Sequence, residues 1–316
     1  MELKTMSTSE TSKQLIQVHV VTAEMLGRFI LFIDAKPKTI ETYTKSLKQF
    51  FKYLQDNEIL QPQRTNILAY RDYLKTFCKP TTTQSYITAV RLFFQWTHTE
   101  GLYANVAEHI KGAKLDRGHK KDYLTSLQAK TVLAAIDKTD LKGKRDYAII
   151  TLMITGGLRT IEIVRANFED LRTAGNNEVL YIQAKGRDEK TEYVKIAQQV
   201  GDAIRQYLKA LLYKPDGKQP LFVSISNRDR GQRMTTRSVR RVVKRSFLTS
   251  GFNSDKLSAH SLRHTAITLA LLNGENLQEV QQFARHMSIT TTQIYAHNID
   301  RANNKCEAVI AHAIFS

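Results

Sequence analysis

Cysteine is almost missing from this chain: two occur, Cys78 and Cys306, far apart and outside any CxxC spacing. That excludes a disulfide framework and fits a reducing cytoplasm. Long apolar runs are missing too. No stretch approaches the roughly 20 apolar residues that cross a bilayer, and the first residues, MELKTMSTSETSKQ, lack the apolar segment of a secretory signal. The expected location is cytoplasmic, with no membrane partner. No GxxxxGK(S/T) phosphate loop occurs, because TGGLRT (155–160) lacks the lysine. Repeats and low-complexity tracts are absent. Negative charge is in short supply relative to positive: 47 Lys and Arg face 30 Asp and Glu, a net +17. A surplus of that size points to a polyanion, with nucleic acid ahead of an anionic membrane surface.

The 316 residues are 42% hydrophobic, enough for a real core and most simply for two domains. Their charge is uneven. Residues 1–116 carry 15 Lys and Arg against 11 acids, whereas residues 117–316 carry 32 against 19. One stretch, RDRGQRMTTRSVRRVVKR (228–245), holds eight basic residues and one acid. The polyanion is therefore expected mainly on the C-terminal half.

Residues 1–21 read as a flexible segment, and residues 22–109 as a compact helical bundle. In TIETYTKSLKQFFKYLQDN, Tyr43, Leu47, Phe50, Phe51 and Leu54 recur at the helical period. A second helix is expected over 64–77 and a third after KPTTTQ, with Thr81 and Gln84 as its capping box. The stretch 110–122 breaks the period with glycines and basic residues, Lys120 and Lys121 among them, and reads as an interdomain linker. Residues 123–316 open with a Thr125–Gln128 capping box. They continue through the apolar helix RDYAIITLMIT, ended by Gly156 and Gly157, and the hairpin EVLYIQ/TEYVKI with Lys185 at its turn. Further helices are VGDAIRQYLKALLY, RSVRRVVKRSFL, HTAITLALLNG, LQEVQQFAR and TTTQIYAH. The fold class expected is mainly α with a small antiparallel sheet.

In AHSLRHTA (259–266) two histidines and an arginine share five positions. His260 and His264 stand at i and i+4, which can place two metal ligands on one helix face. Ser261 occupies the place of a zinc protease's glutamate, no convincing third ligand is at hand, and Arg263 would repel a dication. No metal and no cofactor are expected. A phosphodiester suits these residues better, because arginine is permanently charged and its planar fork matches two phosphate oxygens. Arg159 follows a Gly-Gly turn at a helix start, where the helix adds positive potential. Glu162, three residues on, is placed to orient it.

Read in order, TGGLRTIE, AKGRDEKTEYV, AHSLRHTAI and ARHMSITTTQIYAH resemble the tyrosine recombinase (phage integrase) family, from about residue 22 onward. The family carries Arg, Lys, His-x-x-Arg, His or Trp, and Tyr in that order. The resemblance implies a two-domain, Xer-like recombinase: a SAM-like core-binding bundle and a mixed α/β catalytic domain closing on DNA as a C-shaped clamp. It implies Arg159 and Arg263 as clamps on the scissile phosphate and His260 as phosphate ligand and proton-transfer group. Lys185 would be the general acid, His286 the second histidine and Tyr295 the nucleophile. Glu162 would support Arg159, and His264 would be structural. One departure stands out: Ala284 and Arg285 replace the usual Leu-Gly before His286, which suggests a reshaped turn and an added DNA contact.

DNA contacts are also expected from Arg237, Arg240, Arg241, Lys244 and Arg245, with Lys120 and Lys121 in the linker. The implied partner is double-stranded DNA with inverted-repeat core sites, held by a tetramer on two sites, with accessory proteins as possible additions. An apolar segment at about 300–316 would dock on a neighbouring subunit. Two other readings use similar residues. A type IB topoisomerase relaxes DNA without exchanging strands, and a DNA-binding regulator would be expected to show a broken residue set, whereas all six positions here are filled.

Overall fold

A computed structural model describes residues 21–114, 122–183, 189–211, 213, 216–303 and 306–315. The chain divides into two compact units, residues 1–117 and 118–316.

The first unit is helical: α1 (Ala23–Phe32), α2 (Pro37–Asp56), α3 (Arg64–Lys75) and α4 (Pro80–Thr99). Proline opens both long helices. Pro37 and Pro80 sit in the first turn, where a missing N–H costs nothing. That corrects the expected start of α4. Lys79 is its N-cap, so Thr81 and Gln84 lie inside the helix. The stripes of α2, α3 and α4 meet in one core of Leu47, Phe50, Ile67, Tyr70, Phe93 and Phe94. Phe50 meets Tyr70 and Phe94 edge-on at 5.0 and 5.9 Å between ring centroids, which suits the ring quadrupoles.

The second unit begins with α5 (Ser126–Ala134), whose expected Thr125–Gln128 box forms with both reciprocal hydrogen bonds. Next come α6 (Leu141–Gly156) and α7 (Thr160–Arg165). From Ala148 to Ile154 every residue of α6 is buried, as expected of its run AIITLMI. It stops at Gly157, whose φ of +58° is cheap only for glycine.

A three-stranded antiparallel sheet follows in the order β1 (Leu171–Ala174), β2 (Asn177–Ile182) and β3 (Glu192–Lys195). The β2–β3 pair is the expected hairpin, with Leu180 opposite Val194. Strand β1 escaped the sequence reading because LRTA is short and only partly covered, so it lacks an apolar alternation. It pairs with β2 through a turn at Gly175, where φ is +57°.

The remaining helices are α8 (Gln198–Lys209), α9 (Thr236–Thr249), α10 (Ala259–Leu272), α11 (Leu277–Ala284), α12 (Ile289–Asn303) and α13 (Cys306–Phe315). Helix α10 starts five residues before the expected HTAITLALLNG. Ser258 and Ser261 close a cap ahead of it, and the His-x-x-Arg-His cluster thereby falls on its first turns. Among the described residues no helix is long and apolar enough to cross a membrane.

Candidate active site

Arg159 is the N-cap of α7, fixed there by its own helix. The Glu162 carboxylate, fully buried, accepts the Arg159 backbone N–H at 2.8 Å and its Nη1 at 2.8 Å. The Glu162–Arg159 contact that the three-residue spacing suggested is thus formed. The arginine side chain keeps 25% exposure, so it stands at a surface rather than in the core.

Arg263 is far more enclosed, at 1% exposure. It projects from α10 towards the turn before Arg159, donating Nη1 to the Gly157 carbonyl at 2.6 Å and Nη2 to the Ala284 carbonyl. These bonds use one hydrogen of each Nη, out of five N–H donors in the group. Burial, together with Arg159 and Arg285 nearby, brings Arg263 down to about 9, with Glu162 opposing. It stays cationic at neutral pH.

His260 and His264 on α10, His286 in the turn after α11 and Tyr295 on α12 form a chain of ring contacts. His260 meets His264 edge-on at 4.5 Å, His264 lies 5.1 Å from Tyr295, and His286 lies 6.1 Å from it in near-parallel planes. The i, i+4 spacing seen in the sequence thus brings the two α10 histidines together, with His264 between His260 and the tyrosine. Tyr295 is 4% exposed and packs with Ile267, Val280 and Ala284. Its phenol is pushed up to about 12 by burial, against the pull of Arg263 and Arg159. His286 hydrogen-bonds through Nδ1 to Thr292 Oγ1 at 2.9 Å. Burial, then Arg263, Arg159, Arg285 and His260, carries His286 down to about 4, so its imidazole is neutral at pH 7.

Arg159, His260, Arg263, His286 and Tyr295 therefore share one electrostatic neighbourhood. Lys185 lies outside the described residues, as do Lys120 and Lys121. Two residues of this neighbourhood were read differently or missed. Arg285 was expected at the DNA, yet its side chain is 7% exposed and reaches Glu162 Oε2 at 3.2 Å. Thr292 precedes Tyr295 by three positions on α12, a spacing that puts both on one helix face and could have flagged it.

The five basic candidates of α9 divide. Arg237, Arg240, Arg241 and Arg245 are exposed. Lys244 is half-buried and donates to the Ser254 carbonyl at 2.9 Å, and Arg245 pairs with the buried Asp146. Val239, Val242 and Val243 face inward as expected.

Chemically, this is a cationic cluster beside a phenol, with Arg263 and Tyr295 buried and Arg159 and His260 reaching solvent. Fixed guanidinium groups in a low-dielectric setting hold an anion more strongly than in water, and they need no reorganisation to do so.

Comparison with known proteins agrees with the residue pattern. The pattern of the phage integrase family matches residues 122–301, and that of the phage integrase N-terminal SAM-like domain matches residues 30–101. Tyrosine recombinase XerC of Thermodesulfovibrio yellowstonii is 28% identical over 82% of this chain and 85% of its own. Tyrosine recombinase XerD of Lacticaseibacillus casei is 27% identical over 86% and 93%. Among solved structures, the XerH site-specific recombinase bound to difH substrate superposes with a TM-score of 0.66 at 20% identity, covering 84% of this chain and 79% of that one. A lambda integrase tetramer bound to a Holliday junction gives 0.65 at 15% identity, over 86% and 76%. With its catalytic-domain pattern spanning more than half the sequence, this chain belongs to the phage integrase family, the tyrosine recombinases.

Proposed function

We propose that the chain is a site-specific DNA recombinase that cuts and rejoins duplex DNA through a covalent 3′-phosphotyrosine at Tyr295. The observation that carries this reading is the gathering of Arg159, His260, Arg263, His286 and Tyr295 into one charged cluster, although the sequence spreads them from residue 159 to 295. In this reading residues 22–109 bind the core DNA, 110–122 link, and 123–316 catalyse.

A phosphodiester carries one negative charge, and attack by an oxygen nucleophile develops another. Arg159 and Arg263 hold the non-bridging oxygens and stabilise the added charge preferentially, which is how a rate rises. Losing one such donor costs on the order of 10² to 10³ in rate. The Tyr295 oxygen attacks phosphorus as its proton passes to His260. The bond to the 5′ oxygen breaks, and that oxygen takes a proton from Lys185. His286, neutral and anchored by Thr292, donates to the phosphate from the other side. Reversal by an incoming 5′ hydroxyl restores the diester and frees the phenol. The phosphotyrosyl ester conserves the bond, so no ATP is consumed.

The DNA partner is read as a duplex with inverted-repeat core sites, approached by the exposed Arg237, Arg240 and Arg241 of α9. On α13, Val309, Ile310, Ile314 and Phe315 are exposed at 65, 56, 66 and 86%, which is costly apolar surface for an isolated subunit. Docking on a neighbouring subunit within a tetramer would cover it.

The test is a nicked suicide duplex whose cut strand cannot religate. A covalent protein–DNA complex formed by the wild type and lost in Tyr295→Phe supports the reading, and exchange between two sites then excludes a type IB topoisomerase. Relaxation without exchange, or binding without any adduct, would overturn it.

A further inference from the structure

Arg285 occupies a place where its residue type is costly. It terminates α11 at φ +55°, the left-handed region that glycine enters freely and arginine does not. Strain of this kind persists only where the surroundings hold it, and here the side chain accounts for the holding. The guanidinium turns inward. Nη1 donates to the Phe283 carbonyl at 2.8 Å and reaches the Gly156 carbonyl at 3.4 Å. Nη2 reaches the Gly157 carbonyl and Glu162 Oε2, both at 3.2 Å. Nε is buried and has no partner among the described residues.

These contacts join two segments. Gly156 and Gly157 close α6 just ahead of Arg159, and Phe283 lies in the last turn of α11 just ahead of His286. Arg263 grips the same two segments, at Gly157 and Ala284. Glu162 is shared: Oε1 serves the Arg159 guanidinium, while Oε2 serves the Arg159 backbone and Arg285. A carboxylate facing Arg159 alone would be free to take both prongs of its fork and turn it away from a substrate anion. A second guanidinium on Oε2 prevents that.

Resting on the recombinase reading above, we infer that Arg285 is a positioning residue. It locks the Arg159 turn to the His286 turn and, by occupying Glu162 Oε2, keeps Arg159 presented to the scissile phosphate. It acts through Glu162 and the turn carbonyls rather than by touching DNA.

The experiment is single-turnover cleavage of the nicked suicide duplex by the full chain, with duplex affinity measured alongside. It compares wild type, Arg285→Gly, Arg285→Lys, Glu162→Gln and the Glu162→Gln/Arg285→Gly double variant. Glycine suits the backbone at 285, so Arg285→Gly keeps the turn. Cleavage is expected to slow by about 10- to 100-fold with duplex affinity within about twofold, the signature of an interaction that serves the reacting state. Arg285→Lys, which restores the charge but not the fork, is expected to recover part of the rate. In the Glu162→Gln background the glycine change should add at most about threefold, because the carboxylate through which it acts is gone. Wild-type cleavage rates in Arg285→Gly would overturn the inference. So would losses that multiply in the double variant, or a defect confined to DNA affinity. A wild-type chain that forms no Tyr295 adduct sinks the recombinase reading together with this one, whereas an adduct formed equally fast by Arg285→Gly sinks this one alone.

Discussion

Glu162 accepts both the backbone N–H and the Nη1 of Arg159 at 2.8 Å, so one buried carboxylate fixes the two ends of that arginine. In Glu162→Ala the Arg159 guanidinium loses its anchor and Arg285 loses its only hydrogen-bonded carboxylate among the described residues. Cleavage of the suicide duplex is expected to fall at least tenfold. Thermal or urea unfolding should show a loss of about 1–3 kcal/mol, the usual consequence of leaving buried donors unmet. Unchanged cleavage in a folded Glu162→Ala would mean that Arg159 needs no orientation.

His286 gives the DNA-free protein a defined acid response. Its folded pKa of about 4 lies below the ordinary histidine value of 6.5. Above pH 6.5 both states are neutral and nothing is lost. Between 6.5 and 4 the unfolded chain takes up a proton that the folded site refuses, so stability falls as pH falls through that window. Urea titrations at pH 7 and 4.5 should show a smaller acid loss in His286→Gln than in wild type. Equal losses would contradict the buried, neutral imidazole.

The His286–Thr292 hydrogen bond at 2.9 Å has its own consequence. Thr292→Val preserves shape and removes the hydroxyl, and one neutral hydrogen bond is worth about 1 kcal/mol, or roughly three- to tenfold in cleavage rate. DNA affinity should not change. A Thr292→Val protein that cleaves at the wild-type rate would show that Thr292 does not hold the ring.

The basic helix α9 is expected to act unequally. Arg237→Ala, Arg240→Ala and Arg241→Ala should each weaken DNA binding and lower the slope of log affinity against log salt, by about 0.9 for every phosphate the arginine had neutralised. Lys244→Ala and Arg245→Ala should change that slope less, because their head groups are engaged with Ser254 and Asp146. Arg245→Ala should instead lower stability. Equal slopes for all five would mean that the exposed face is not the DNA face.

Deleting residues 303–316 removes α13 with its exposed Val309, Ile310, Ile314 and Phe315. Duplex binding is expected to survive while exchange between two sites is lost. Exchange at full rate by the truncated chain would show that the segment does not join subunits.

Much of this was legible from residue spacing because the physics is local. The Thr125–Gln128 cap, the apolar run of α6 with its glycine stop and the Glu162 brace on Arg159 each depend on residues a turn apart. The start of α4 was misplaced because Pro80, tolerated only in a first turn, outweighs the Thr81 signal. Strand β1 was invisible because a short, half-exposed edge strand leaves no alternation. Arg285 was misjudged for a long-range reason. A lone arginine in a polar turn reads as surface, and what buries it is Glu162, 123 positions earlier.

Mass spectrometry of the trapped protein–DNA complex tests the central claim most directly. After digestion, a nucleotide joined through its 3′ phosphate is expected on the peptide containing Tyr295 and on no other. An adduct on another side chain, or one joined through a 5′ phosphate, would contradict the account.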